Sequence, residues 1–204
     1  MARKKNLGFS LVELLIALTV FMIASGLLIM GVQPSLKEAR VSQAYNTTLA
    51  AMRLARDTAV AQRQSYYVTL NNTVAPNTIT VTQGATGVVI DTYSLPSDVK
   101  YQVLPLFPTS QVNFPLTPDS FGNGSTAVAF DQGVAGGAPN VVYFQPDGSA
   151  QDVNGNFNNG VVYVARTGDY YSARALTVWG ATGRLRGWRM DTQTGSGTYY
   201  WRYE

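Results

Sequence analysis

The chain has 204 residues, 46% of them hydrophobic and 13% charged, which is material for one sizeable core and makes a single domain the default. It contains no cysteine and no histidine, which excludes a disulfide scaffold and a thiolate metal site and removes the commonest general base and metal ligand. The formal net charge is +3, and Arg3, Lys4 and Lys5 at the extreme N-terminus account for all of it.

The stretch GFSLVELLIALTVFMIASGLLIMGV, from Gly8 to Val32, comes first and dominates. From Phe9 to Val32 it is almost wholly apolar, broken by Ser10, Glu13, Thr19, Ser25 and two glycines. About 20 such residues suffice to cross a bilayer, and these 24 positions would make a helix roughly 36 Å long. The basic residues in front hold their end on the cytoplasmic side, so the bulk of the chain is expected outside the cytoplasm. Three readings compete: a cleaved secretory signal, a plain anchor, or a leader cut on the cytoplasmic side of the apolar run. The apolar run is long for a secretory signal and offers only a poor cleavage site around Ala24 and Gly26. A plain anchor leaves Glu13 unexplained, because an ionisable group in a spanning helix is costly and points to a functional role.

RKKNLGFSLVELLIAL resembles the class III leader of type IV pilins and type II secretion pseudopilins. The resemblance implies a dedicated prepilin peptidase that cuts after Gly8 and methylates Phe9, the new N-terminus. It also implies that Glu13 meets the N-terminal amine of a neighbouring pilin or pseudopilin subunit. In low dielectric an unpaired carboxylate and an unpaired ammonium are each expensive, and together they offset much of that cost. With the leader, residues 1–8, removed, the side chains are formally neutral, so any basic character is local.

Residues 9–32 are then expected to form the transmembrane and assembly helix. Pro34 removes a backbone donor and Gly26 and Gly31 weaken helix propensity nearby. From Leu36 the pattern turns amphipathic, with Val41, Tyr45, Leu49, Met52, Ala55 and Ala59 at three- and four-residue steps, and predicts a helix over 33–63. Lys37, Arg40, Arg53, Arg56 and Arg63 are expected on its solvated side.

Residues 64–204 are expected to form a β-rich head. Short β-branched and aromatic runs punctuated by Gly, Asn, Asp and Pro predict an antiparallel meander. Its strands are expected at Tyr66 to Leu70, Thr78 to Thr82, Val88 to Tyr93, Lys100 to Leu104, Thr126 to Phe130, Val141 to Phe144, Val161 to Ala165, Ala173 to Trp179, Arg184 to Met190 and Thr198 to Trp201. Pro105, Pro108, Pro115 and Pro118 mark one long loop. Pro146, Asp147 and Gly148 suit a tight turn, and Asn154 to Gly160 reads as flexible. RLARDTAVAQRQSYYVTL, Arg53 to Leu70, and VVYFQPDGSA, Val141 to Ala150, are similar to segments of the minor pseudopilin and minor pilin GspH/FimT family. The fold implied is α+β and pilin-like: a long N-terminal helix, transmembrane then amphipathic, packed on a C-terminal antiparallel β-sheet head.

Enzymatic chemistry finds no footing. Without His or Cys the remaining Asp, Ser, Thr and Tyr form no catalytic motif, and no cofactor or metal is expected. Asp91, Asp98, Asp119, Asp131, Asp147 and Asp152 are spaced irregularly beside turn formers and are expected to serve turns, with no calcium-loop spacing among them. Asn-x-Ser/Thr occurs at Asn46, Asn71 and Asn123 and carries little weight beside a bacterial-type leader.

Charge is uneven. Between Gln64 and Ala165 one cation, Lys100, faces six aspartates; from Arg166 onward six arginines face three acids. Within that basic tail, GATGRLRGWRM places Arg184 and Arg186 two apart, on one strand face, with Leu185 toward the core between them. Trp188 continues the outer face and Arg189 points the other way. GRLR resembles the Gly-Arg-x-Arg motif of FimT-type minor pilins, and that resemblance implies DNA binding during natural transformation through Arg184, Arg186 and Arg189. The function implied is a minor pilin of a type IV pilus that primes or caps the filament, held as a single pass in the inner membrane with its head in the periplasm before assembly. An H-type minor pseudopilin of a type II secretion system, with a purely structural role, is the alternative.

Overall fold

In the computed structural model of the chain, residues 10–104, 117–130, 140–192 and 199–204 are described, and of residues 27–34, 170, 171 and 192 only the backbone. Gly8, Phe9 and the basic leader therefore lie outside the described residues, as does the proline-rich stretch from Pro105 to Leu116. Two compact units divide the chain, the first ending at Ala39 and the second running from Arg40 to Glu204. Helix α1, Leu11–Gln62, belongs to both.

In the first unit α1 starts behind Ser10, whose Oγ accepts from the Glu13 amide at 3.2 Å, a capping bond that satisfies one of the orphan donors of the first turn. Thr19 and Ser25 donate their hydroxyls to the carbonyls of Ile16 and Phe21, so neither presents an unmet polar group along the apolar run. Leu11, Val12, Leu14, Phe21 and Ile23 are all more than 60% exposed. A helix apolar all round has no solvated face and requires an apolar environment on every side. Among the described residues no helix is long and apolar enough to cross a membrane. The run expected to span extends over Leu27 to Val32, whose side chains are outside the description.

In the second unit the remainder of α1 meets eleven strands: β1 (Tyr66–Asn71), β2 (Thr78–Gln83), β3 (Val89–Ser94), β4 (Val99–Tyr101), β5 (Val128–Ala129), β6 (Val141–Phe144), β7 (Ala150–Gln151), β8 (Gly160–Arg166), β9 (Asp169–Trp179), β10 (Arg184–Thr192) and β11 (Tyr199–Tyr203). They form two antiparallel sheets, β3-β2-β1-β6-β7 and β11-β10-β9-β8-β4, with β5 also on β8. The architecture is the expected α+β one, a helix packed on antiparallel sheet. Two sheets replace the single one expected, and the topology is not a pure meander, because β1 pairs with the distant β6 and β4 with β8. A two-residue strand, β7, was not anticipated, being too short to show a period.

The helix ends at Gln62, where Arg63 turns left-handed at φ 52°. Its stripe is buried as the spacing predicts at Val41, Tyr45, Met52, Ala55 and Ala59, joined by Ala44, Thr48 and Ala51. Leu49 is a correction: it packs on the core but remains half-buried. Against the stripe lie Tyr66, Val68 and Leu70 of β1, Ile79 and Val81 of β2, Val142 and Phe144 of β6, Val162 and Val164 of β8, and Leu176 and Val178 of β9. Alternation along β1 is clean, whereas β8 is buried on both faces. Val161, Tyr163 and Ala165 turn to a second apolar cluster on the side of that sheet away from the helix, with Leu104, Phe121, Ala175, Met190 and Trp201. A strand covered on both faces reads as an unbroken apolar run, which is what GVVYVA is.

Turns follow their aspartates in part. Asp147 accepts from the Ser149 amide at 2.9 Å, and Asp152 accepts from the amides of Asn154 and Asn156, each at 2.8 Å. The segment from Asn154 onward, expected to be flexible, is thereby pinned at its start.

Candidate functional site

The β9–β10 hairpin carries the basic tail. Register pairs Arg184 with Trp179, Leu185 with Val178, Arg186 with Thr177 and Trp188 with Ala175. Since cross-strand partners share a face, Leu185 joins Val178 on the helix side, and Arg184, Arg186 and Trp188 share the opposite side. That is the expected alternation. Arg189 falls on the helix side with Leu185 and Gly187, opposite Arg174 on β9 and Arg202 on β11. The structure therefore brings Arg184 and Arg186 to one face and leaves Arg189 on the other.

Arg186 is not a free cation. Its Nη1 lies 2.9 Å from Oδ1 of Asp119, a carboxylate only 6% exposed. The other oxygen of Asp119 accepts from Thr177 Oγ1 at 2.6 Å and from Trp179 Nε1 at 3.0 Å. The Arg186 guanidinium also lies 5.5 Å from the Trp179 ring centre and 5.9 Å from that of Tyr203, within cation–π range of both. Asp119 sits at φ 52° inside a short 3-10 turn, Pro118–Ser120, so the carboxylate expected to serve a turn instead fastens that turn to the sheet. Trp188 is engaged too: its Nε1 donates to Thr177 Oγ1 at 3.2 Å and its ring meets Tyr203 edge-on at 5.9 Å.

Arg184, by contrast, is exposed, and on its flank the hairpin turn meets α1. A groove of roughly 360 Å³ opens there, lined by Arg53, Arg56, Thr182, Gly183, Arg184 and Leu185. Arg56 donates from Nε to the Gly148 carbonyl at 3.3 Å and from Nη2 to the Thr182 carbonyl at 3.2 Å, tying two turns to the helix. Gly183 has φ 58°, and a Cβ there would run into the Gly148 carbonyl and crowd the Arg56 guanidinium. Only glycine lets the turn close so tightly on the arginine. Arg53 and Arg56 were expected on a solvated face. Their i,i+3 spacing, which puts them on one side of the helix, was the available signal.

On the helix side of the sheet, Arg174 is 5% exposed and 3.6 Å from the Glu204 carboxylate. Burial, then that carboxylate, pushes the Tyr45 phenol above its ordinary value. Among the described residues no three carboxylates converge to hold a metal ion.

Comparison with known proteins bears first on the N-terminus. Residues 3–29 match the family described as the prokaryotic N-terminal methylation motif. The chain thus begins with a prepilin-type segment, which implies a peptidase that processes it and other pilins with which it assembles. No curated protein matches the chain significantly. Among solved structures, the type IV minor pilin FimU of Pseudomonas aeruginosa is similar over 76% of this chain and 89% of that chain, at 11% identity and a TM-score of 0.43.

Proposed function

We propose that the protein is a minor pilin of a type IV pilus. The observation that carries this reading is the methylation motif on residues 3–29 together with the large apolar side chains at the start of α1, Leu11 to Ile23, which are exposed all round the helix. In this reading the leader is cut after Gly8, Phe9 is methylated, and the helix holds the subunit in the inner membrane with its head in the periplasm until assembly. Glu13, in the first turn of α1, then pairs with a neighbour's terminal amine, and the subunit primes or caps the filament. Mass spectrometry of the mature protein tests it: a methylated Phe9 terminus is expected, and any other terminus overturns the reading.

DNA capture is the finer part of the proposal. Arg184, exposed beside the hairpin turn, supports it, and the head is expected to bind single strands weakly and without sequence preference. The purely structural alternative, an H-type pseudopilin, draws support from Arg186, whose guanidinium is spent on Asp119. Titration of the full chain in detergent micelles with a fluorescent oligonucleotide separates the two. Binding that weakens in Arg184→Gln favours capture, and no binding at low salt leaves the structural role.

A further inference from the structure

Four acidic side chains of the second unit are committed to arginines away from the groove beside the hairpin turn. Asp98 takes Arg40 and Arg166, Asp119 takes Arg186, Asp191 takes Arg202, and Glu204 takes Arg174. Neither Arg53 nor Arg184 has an ion-pair partner among the described residues. Arg56 has a carboxylate no nearer than 3.9 Å, from Asp57, which is 73% exposed and screened by water. What holds Arg56 is a pair of neutral carbonyls, on Gly148 and Thr182. They orient the guanidinium without cancelling its charge, so its rotamer entropy is already spent before any ligand arrives. Three arginines thus line one groove, and the carboxylate in ion-pair range of one of them, Asp57 beside Arg56, is exposed to water.

From this we infer that the groove binds a phosphate group, supplied by the backbone of a nucleic-acid strand or by the free ion. Guanidinium presents planar, fixed-geometry donors that suit the tetrahedral oxygens of phosphate and its paired acceptors. Arg56 forms the floor of the site, fixed by the two turns. Arg53 on the helix and Arg184 at the strand start, where the sheet ends in the hairpin turn, are exposed and border the groove. The site is distinct from the arrangement expected of Arg184, Arg186 and Arg189: only Arg184 is shared, and the helix supplies the other two cations. The inference rests on the DNA-capture reading only for the source of the phosphate.

The test uses the full chain in detergent micelles and two probes, inorganic phosphate followed by calorimetry and a fluorescein-labelled oligothymidylate followed by anisotropy over a series of salt concentrations. Arg53→Gln is expected to weaken both by roughly tenfold, the range of one charged hydrogen bond, and to make the log–log salt slope for the oligonucleotide shallower by about 1. Arg53→Gln with Arg184→Gln should abolish the heat with phosphate. Both positions are exposed, so the melting temperature should stay at the parent value. Unchanged affinity for both probes in Arg53→Gln overturns the inference, even if Arg184→Gln still weakens the oligonucleotide and so leaves DNA capture standing. Phosphate binding lost in Arg53→Gln, with no oligonucleotide bound by the parent, supports the groove with the free ion as its ligand and removes DNA capture. Equal binding of an oligoglutamate peptide would overturn selectivity for phosphate, and failure of the parent to bind either probe overturns both readings.

Discussion

Arg186 and Asp119, 67 positions apart in the chain, meet at 2.9 Å beneath the rings of Trp179 and Tyr203. The carboxylate is nearly sealed from water and the guanidinium is 29% exposed. Such a pair contributes little net stability relative to apolar packing, but removing one member leaves the other charge buried and unmet.

Arg186→Gln is therefore expected to destabilise the fold by about 3 kcal/mol, while Arg184→Gln, the next residue on the same strand face and exposed, should change it by less than about 0.5 kcal/mol. Replacing Asp119 and Arg186 together by apolar residues should recover much of the loss. Denaturant melts of the four proteins decide. Equal midpoints for parent and Arg186→Gln would show that the pair does not fasten the 118–120 turn.

The helix stripe supplies a second contrast. Met52 is fully buried and Leu49 only half so. Met52→Ala should cost about 2–5 kcal/mol, and Leu49→Ala clearly less. Ala55 is fully buried in the same core, so Ala55→Leu overpacks it and should cost about 1–3 kcal/mol. A melting series that ranked Leu49 above Met52 would contradict the packing described.

How far the sequence reveals these relations depends on their range. Helical periodicity marked Val41, Tyr45, Met52, Ala55 and Ala59, and alternation placed Leu185 inward between Arg184 and Arg186, because both patterns repeat over a few residues. The partnership of Asp119 with Arg186 has no local signature: an aspartate after proline reads as a turn former whichever distant cation it meets. The second apolar cluster escaped for the same reason, since Met190 and Trp201 lie on a face that alternation assigns to solvent. Arg53 and Arg56 read from sequence as solvated because nothing within a helix reports that a hairpin turn will close over it.

For assembly the expected behaviour of two variants differs. Gly8→Leu should leave an uncut precursor, whereas Glu13→Ala should be cut and methylated as usual yet be recovered in filaments at a small fraction of the parent level. Immunoblots of sheared filaments beside whole-cell extracts measure both. Normal incorporation of Glu13→Ala would remove the proposed pairing with a neighbour's amine.

Acid sensitivity should trace in part to Asp152. Burial raises its pKa, but hydrogen bonds from Asn156 and Asn154 outweigh that and hold it below the ordinary carboxylate value. A depressed folded pKa means stability that is present above the unfolded value, near about 4, and lost as pH falls through the folded one. Asp152→Asn should thus melt below the parent at neutral pH, with the gap closing below about pH 4. At the alkaline end the sign reverses. Burial raises the Tyr101 phenol, which shares a hydrogen bond of 3.0 Å with Thr48. Its stabilising effect is complete below about pH 10 and lost above. Melting temperatures across pH for each variant and the parent test both.

The pairing of β1 with β6, Tyr66 opposite Phe144, also governs the order in which the molecule can be made. As the chain is delivered from its N-terminus, α1 and the β1–β3 strands arrive early, but the residues that complete the same core from the other sheet, Val162, Val164, Leu176 and Val178, arrive only near the end. Until then the apolar side of the helix is only partly covered. Chains dominated by such distant pairings close slowly and expose aggregation-prone surface while they wait. A chain cut short before β8 should accordingly be cleared or aggregate rather than persist as a smaller folded unit.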